Sequence, residues 1–405
     1  MNMTFRDFFV RQQECYLDNS ASTKVDPEVI KAMKPYFDKK YGNPSSRHEF
    51  GRHAHEAIEK ARERIAKAIG ADPAEIVFTS GGTESDNLAI RGMAHAVSEI
   101  ISSNIEHDAI LKTCADVSAL YRIPYTQARV DGRGLLPEQS VSEIRENTLV
   151  SIMLANNEIG TIQPIKEICE AARDSAKRCG ATVYLHTDAV QAVGKMKVDV
   201  RELGVDMLSL SSHKFHGPKG VGVLFIREGV KPKSIQTGGG HEGGLRAGTE
   251  NVPGIVGMGK AAEIATRNLA EDAERMRVLR NLLADGVLER LERAEINGDR
   301  EKRLPNNVNF RFFGVDGDKV LDELNEKGIG ASTGSACSSK KSETSHVLRA
   351  LGDPDGGWHS WGALRLTLSR FTTKREIRIA IDEVPDTVSA LRRESPAWRN
   401  RQKIR

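Results

Sequence analysis

Cysteine is scarce in this chain of 405 residues: five are present, at positions 15, 114, 169, 179 and 337. Their number is odd and no pair has a CxxC spacing. That argues against a disulfide framework and a structural zinc site, and points to a reducing cytoplasm. Charge of one sign is lacking too. With 59 Lys and Arg against 56 Asp and Glu, the formal net charge of +3 is too near balance to imply a nucleic-acid partner. No apolar run approaches the roughly 20 residues that span a bilayer, so no membrane partner is expected. Residues 1–14 contain Asp7 and Glu14 and no apolar h-region, so a secretory signal is not expected, and the segment carries no readable function. Internal repeats and low-complexity tracts are absent as well.

What is there is an ordinary globular composition, 39% hydrophobic and 28% charged, on a chain long enough for two or three packed regions. Between 27 and about 265, helix-like and strand-like stretches alternate. Positions 54–68, 83–96 and 165–179 carry helical periodicity, while 75–79, 99–103, 148–154, 183–188, 207–210 and 222–226 read as short strands. This alternation predicts an α/β fold with a mainly parallel central sheet, whose ligands gather at the carboxyl ends of the strands.

Beyond it, 262–293 reads as one long charged helix with Leu279, Leu282, Leu283, Leu288 and Leu291 on its apolar stripe. Strand-like 306–312 and helix-like 319–327 then predict a smaller α+β domain. The division falls near 269, giving a large α/β domain over 22–269 and a small α+β domain from 1–21 and 270–405. Cys114, Cys169 and Cys179 lie in amphipathic helical stretches, where a cysteine acts as a small hydrophobe. Arg392, Arg393, Arg399, Arg401, Lys403 and Arg405 form a basic tail, read as a solvated terminus able to dock an acidic partner.

Two of the strands end in chemistry. Val183-Tyr184-Leu185-His186-Thr187-Asp188 delivers a carboxylate, and Met207-Leu208-Ser209-Leu210-Ser211 leads into Ser212-His213-Lys214. A lysine and an acid on neighbouring strand ends suit pyridoxal phosphate. The amine holds the aldehyde, and the acid keeps the ring nitrogen protonated so that the ring draws electrons. Thr79-Ser80-Gly81-Gly82-Thr83 joins a strand to a helix through two glycines, a form that can cradle a phosphate and is also common in plain turns. His107 follows a strand end and could stack on a planar group or move a proton.

Asn156-Asn157, ahead of Gly160, suits a contact to a carboxylate or a phenolate oxygen, or an Asx turn. The stretch 238–249 is rich in glycine and carries Arg246 and Thr249, fit for a phosphate or a subunit contact. Arg365 stands in an alternating stretch over 364–370 and offers a fork that matches a substrate carboxylate. Cys337 sits in Gly334-Ser335-Ala336-Cys337-Ser338-Ser339-Lys340-Lys341, among small polar residues and beside positive charge that favours thiolate.

In this order, these stations resemble the cysteine desulfurases of the NifS/IscS-like group, within the class V aminotransferase-like, fold-type I PLP enzymes. Ser212-His213-Lys214 with Gly217-Pro218-Lys219-Gly220, Arg246-Ala247-Gly248-Thr249-Glu250-Asn251 and Gly334-Ser335-Ala336-Cys337 carry the likeness most specifically. The resemblance implies a fold-type I PLP-dependent transferase, a homodimer, that takes sulfur from L-cysteine and leaves L-alanine. It implies that Lys214 holds the cofactor and moves the α-proton, that Asp188 pairs with the ring nitrogen and that Gln191 meets the ring's phenolate oxygen. His107 would stack on the ring and serve in acid–base steps. Gly82, Thr83, Ser211 and His213 would hold the phosphate, with Thr249 reaching in from a second subunit. Asn157 and Arg365 would clamp the substrate carboxylate.

Cys337 would take the sulfur as a persulfide and hand it to an acceptor protein, such as an iron–sulfur scaffold or a thiolation protein. No metal is implied. An aminotransferase or β-eliminating lyase on the same fold would keep Lys214 and Asp188 but leave Cys337 dispensable. A selenocysteine lyase would differ in preferring selenium. A non-catalytic docking scaffold would need neither Lys214 nor Asp188, and both are present.

Overall fold

The computed structural model describes residues 15–334, 344–354 and 357–402. Its strands, in chain order, are β1 (Cys15–Tyr16), β2 (Ile76–Thr79), β3 (Glu99–Ser103), β4 (Tyr125–Ala128), β5 (Thr148–Ser151), β6 (Val183–Asp188), β7 (Met207–Ser211), β8 (Gly222–Ile226), β9 (Ala294–Ile296), β10 (Asn307–Phe313), β11 (Ile329–Gly330) and β12 (Trp361–Thr367). Seven of them form the central sheet in the order β2-β8-β7-β6-β5-β3-β4. The pairs from β7 to β4 are parallel, while β8 runs antiparallel to both β7 and β2. The sheet is mainly parallel, as expected.

Apolar residues line both faces of this sheet. On β8, Val223 and Phe225 join one apolar cluster and Leu224 and Ile226 the other. Met207 and Leu208 of β7 divide in the same way. Burial on both faces is why these strands read as continuous apolar runs. Helices Gly82–Met93 and Asp108–Tyr121 contribute to one cluster, and helices Glu49–Ile69, Ile165–Cys179 and Val252–Arg267 to the other.

A second core lies around the antiparallel sheet β12-β10-β9 and the helices Leu269–Arg290, Gly317–Glu326 and Lys374–Glu394. Cys15 and Leu17 are buried in it, and β1 pairs parallel with β11.

The stretch 262–293 is not one helix. Val252–Arg267 and Leu269–Arg290 are separated at Asn268, whose φ of −122° and ψ of 28° are not helical. The break has a packing reason. Ile255, Met258 and Ala262 are buried in the first core, whereas Leu279, Leu283 and Val287 are buried in the second. Leu282, assigned to the stripe, is exposed.

The alternating stretch 364–370 also differs, since β12 ends at Thr367. Beyond it, Leu368 N donates to Asn306 O and Ser369 N to Thr372 Oγ1, so the chain turns away. Cys114 and Cys169 are buried, but Cys179, the last residue of its helix, is exposed. Arg392 is no solvated tail residue: its Nε donates to Phe313 O at 3.0 Å and its guanidinium covers Trp398. Residues 1–14, Cys337 and 403–405 lie outside the described residues. Among the described residues, no helix is long and apolar enough to cross a membrane.

Candidate active site

Parallel strands bring their carboxyl ends to one edge of a sheet. Here β6 ends at Asp188 and β7 at Ser211, from which the short helical turn Ser212–Lys214 carries the lysine. On the same edge, β2 leads through Gly81 into helix Gly82–Met93, β3 leads to His107, and β5 to Asn156 and Asn157.

Lys214 Nζ donates to Ser20 O at 2.7 Å and Ala21 O at 2.9 Å. Gln191 is buried, and its Nε2 donates to the same Ser20 O at 3.0 Å. The segment just after β1 thus supplies the oxygen that gathers both side chains.

Asp188 is buried, and its Oδ1 accepts from Val190 N at 2.8 Å. Burial pushes its carboxyl up from the ordinary value, opposed by that N–H, by the neighbouring His107 and by the charge of Lys214. His107 caps the helix Asp108–Tyr121, with Nδ1 accepting from Ala109 N at 3.1 Å. That bond leaves Nε2 as the protonated nitrogen, directed away from the cap.

Two further carboxyls lie close behind. Asp86 is raised well above its ordinary value by burial and by Asp188, and Glu106 is pushed up to about 8, chiefly by burial. Three buried acids near one another cannot all ionise, and Asp188 is the one that the positive charge of Lys214 favours in the charged form. His186 stands two residues before Asp188. Its Nδ1 lies 2.8 Å from Ser151 Oγ and its Nε2 3.0 Å from Ser209 Oγ, and burial draws it down to about 3.

The glycines of the strand–helix joint leave room at a helix N-terminus. A side chain at Gly222 would meet the Gly81 main chain at 2.6 Å, so β8 must begin with glycine for β2 to approach. Gly82 and Thr83 open the helix, Thr83 is exposed, and a Cβ at Gly81 would still stand 3.9 Å from Ser211 Oγ. The first N–H groups of a helix have no intrahelical partner, so this joint can offer them to an anion. His213 lies beside it with Nδ1 3.2 Å from Ser22 Oγ, and burial and neighbouring lysines hold it neutral at about 4. Buried hydroxyls of Ser20, Thr187 and Ser212 have no partner among the described residues, so polar groups near these strand ends are left for something further to bind.

Asn156 makes the Asx turn: its Oδ1 accepts from Glu158 N and Ile159 N, and Gly160 closes the turn with φ +77°. That leaves Asn157 beside Arg365, whose Nη1 donates to Asn157 O at 3.0 Å. Arg365 points inward from β12 and its Nη2 also meets Asp18 Oδ1 at 2.8 Å, while its buried Nε has no partner among the described residues. Glu158 is buried next to it, its Oε2 likewise without a partner among the described residues, and burial raises its carboxyl.

The structure therefore brings Lys214, Asp188, Gln191, His107, Gly82, Thr83, Ser211, His213, Asn157 and Arg365 to one edge of the sheet. Thr249 is exposed on the glycine-rich segment, and Cys337 lies outside the described residues. Motif reading passed over Asp18, Ser20, Asp86, Glu158, His186 and Lys195. Only His186 left a trace, sharing with Asp188 the period of two along β6.

The chain is similar to known proteins over nearly its whole length. The family model for aminotransferase class-V matches residues 15–379. A protein of Dictyoglomus turgidum named cysteine desulfurase IscS is 48% identical over 392 residues, covering 95% of this chain and 97% of that protein. A solved NifS-like protein superposes with a TM-score of 0.85 at 37% identity, covering 93% of this chain and 99% of that one. A structure described as SspA in complex with cysteine gives a TM-score of 0.76 at 35% identity, covering 89% and 100%.

Proposed function

This chain belongs to the cysteine desulfurases of the class-V aminotransferase family, and from that premise we propose that it binds pyridoxal phosphate at Lys214 and passes the sulfur of L-cysteine through Cys337 to an acceptor protein. One observation carries the reading: an amine, a buried carboxylate and a glycine-lined helix N-terminus converge on one edge of the sheet. The donor set fits the group. Asp188 suits a protonated ring nitrogen, Gln191 a phenolate oxygen and His107 a ring face, while Gly82, Thr83, Ser211 and His213 suit a phosphate. When bound, pyridoxal phosphate supplies the electron sink that weakens the carbon–sulfur bond of cysteine.

The residues do the rest. Arg365 and Asn157 orient the substrate carboxylate, as their contact allows. Lys214, hung between the carbonyls of Ser20 and Ala21, takes the α-proton and returns one to the substrate. Cys337, as thiolate, bonds to the substrate sulfur while the carbon–sulfur bond breaks. L-Cysteine and one enzyme thiol thus become L-alanine and one enzyme persulfide, with no outside oxidant or reductant. L-Cysteine as substrate is supported by the cysteine complex of SspA.

The acceptor is an iron–sulfur scaffold or a thiolation protein, the site works in the cytoplasm, and Thr249 completes it from the second copy of a homodimer. The large domain spans 22–269, and the small one comprises 1–21 and 270–405. The helices before and after Asn268 are buried in different apolar cores, which supports that division, although Phe313, Val347, Leu348 and Trp361 also join the first core.

The test is the carbon product formed from L-cysteine by the protein loaded with pyridoxal phosphate. Alanine with a protein persulfide is expected. Pyruvate and ammonia would replace desulfuration by β-elimination and remove the role of Cys337.

A further inference from the structure

One buried amine has no part in the chemistry above. Lys195 follows Gly194 in the turn after Gln191 and is 5% exposed. Its Nζ donates to Gln191 O at 2.9 Å, to Lys214 O at 3.3 Å and to Gln191 Oε1 at 3.4 Å. These three partners are carbonyl oxygens, none of them a carboxylate.

Three acceptors around one nitrogen match the three N–H groups of an ammonium; a neutral amine has only two to give and would turn its lone pair toward an oxygen. The contacts also close a ring. Lys195 holds Gln191 Oε1, Gln191 Nε2 donates to Ser20 O, Lys214 Nζ donates to the same Ser20 O, and Lys214 O returns to Lys195. With its amide oxygen on Lys195, Gln191 can present only N–H to a ligand, which is what a phenolate oxygen requires.

We propose that Lys195 is a positioning residue. It fixes the amide of Gln191 toward the cofactor's phenolate oxygen and keeps a positive charge beside Lys214, so that the Lys214 nitrogen releases its proton more readily. The groups that face Lys195 permit this. Lys214, His213 and His216 come from the turn after β7, and Asp272 and Arg370 line the cavity it shares with Lys214. Asp272 is the only acid among the described residues lining that cavity, and burial holds its own carboxyl above the ordinary value. Burial draws Lys195 down to about 7, so its charge depends on the three oxygens it meets.

The inference rests on pyridoxal phosphate being bound at Lys214, and the experiment separates the two. The wild-type holoenzyme, Lys195→Met and Lys195→Gln are titrated between pH 5 and 10 by the visible absorbance of the bound cofactor, with thermal unfolding as the check of folding. Absence of a visible band in the wild type would sink the cofactor reading itself. With the band present, Lys195→Met should raise the apparent pKa of its transition by about one unit or more, the scale of losing one near, desolvated positive charge.

Lys195→Gln keeps an amide donor for the Gln191 carbonyl but no charge, and should shift likewise; it also gives the reading should Lys195→Met not fold. A folded variant that titrates like the wild type would overturn the proposal, because a merely structural lysine would lower the unfolding temperature and leave the transition in place.

Discussion

Buried Arg365 and half-buried Asp18 form an ion pair, Nη2 of the arginine donating to Oδ1 of the aspartate at 2.8 Å. The guanidinium is thus held from one side by Asp18 and from another by Asn157 O before any substrate arrives. A fork fixed in this way loses little freedom on binding a carboxylate. Arg365→Lys should raise KM for L-cysteine by about tenfold or more, with a smaller change in kcat, because a point charge replaces the fork. Initial rates over a range of cysteine concentrations check this. An unchanged KM would remove Arg365 from the substrate site.

Lys214→Ala removes the amine that Ser20 O and Ala21 O hold. The variant should show no covalently retained cofactor after borohydride reduction, and alanine formation should fall by about a thousandfold or more, the scale of losing a residue that both bonds and moves protons. Mass spectrometry of the reduced protein reads the first effect and an alanine assay the second.

The thiols separate by environment. Burial pushes Cys15 and Cys169 up to about 12 and raises Cys114 further still, so these three are poor nucleophiles near neutral pH. Brief alkylation of the native protein at pH 8 should leave Cys15, Cys114 and Cys169 unlabelled, and label the exposed Cys179. Cys179→Ser should leave alanine formation intact, whereas Cys337→Ser should abolish it. Peptide mapping and the alanine assay give the two readings.

Burial makes stability depend on pH in opposite directions at two sites. Glu106 has its folded pKa raised to about 8, so between about 4.5 and 8 the folded state keeps a proton that the unfolded chain has lost. Its contribution is whole below that window and fades as pH rises through it. His186 is the converse. With its folded value near 3, it must stay neutral where the unfolded chain would be charged, so stability is lost as pH falls below about 6.5. Glu106→Gln, which mimics the protonated acid, should flatten the loss of unfolding temperature between pH 5 and 8. Identical pH profiles for variant and wild type would show that Glu106 is not protonated in the fold.

The sheet and most of the site were legible because they rest on local rules. Asp188 and Lys214 each follow an apolar run, and Gly81-Gly82-Thr83 marks a strand–helix joint. What was not legible depends on partners distant in the chain. The break at Asn268 arises because neighbouring turns of an apolar stripe belong to different cores, which periodicity cannot distinguish. Lys195 and Asp86 look like surface residues in sequence, because charge usually means exposure; only packing shows that they are buried. Arg392 reads as part of a solvated tail for the same reason, yet it is buried against Phe313 O.

The anchor of Lys214 is itself tied across the chain. Asn19 Nδ2 donates to Thr367 O at 2.7 Å, Ser20 N to Thr367 Oγ1 at 2.9 Å, and Thr367 N to Leu17 O at 2.7 Å. The carbonyl of Ser20 is therefore set in place by a residue of β12, 347 positions further along the chain. Synthesis passes Ser20 and Lys214 before it reaches Thr367, so a growing chain holds both residues before the one that fixes their arrangement. A nascent chain halted before β12 carries the amine without its seat.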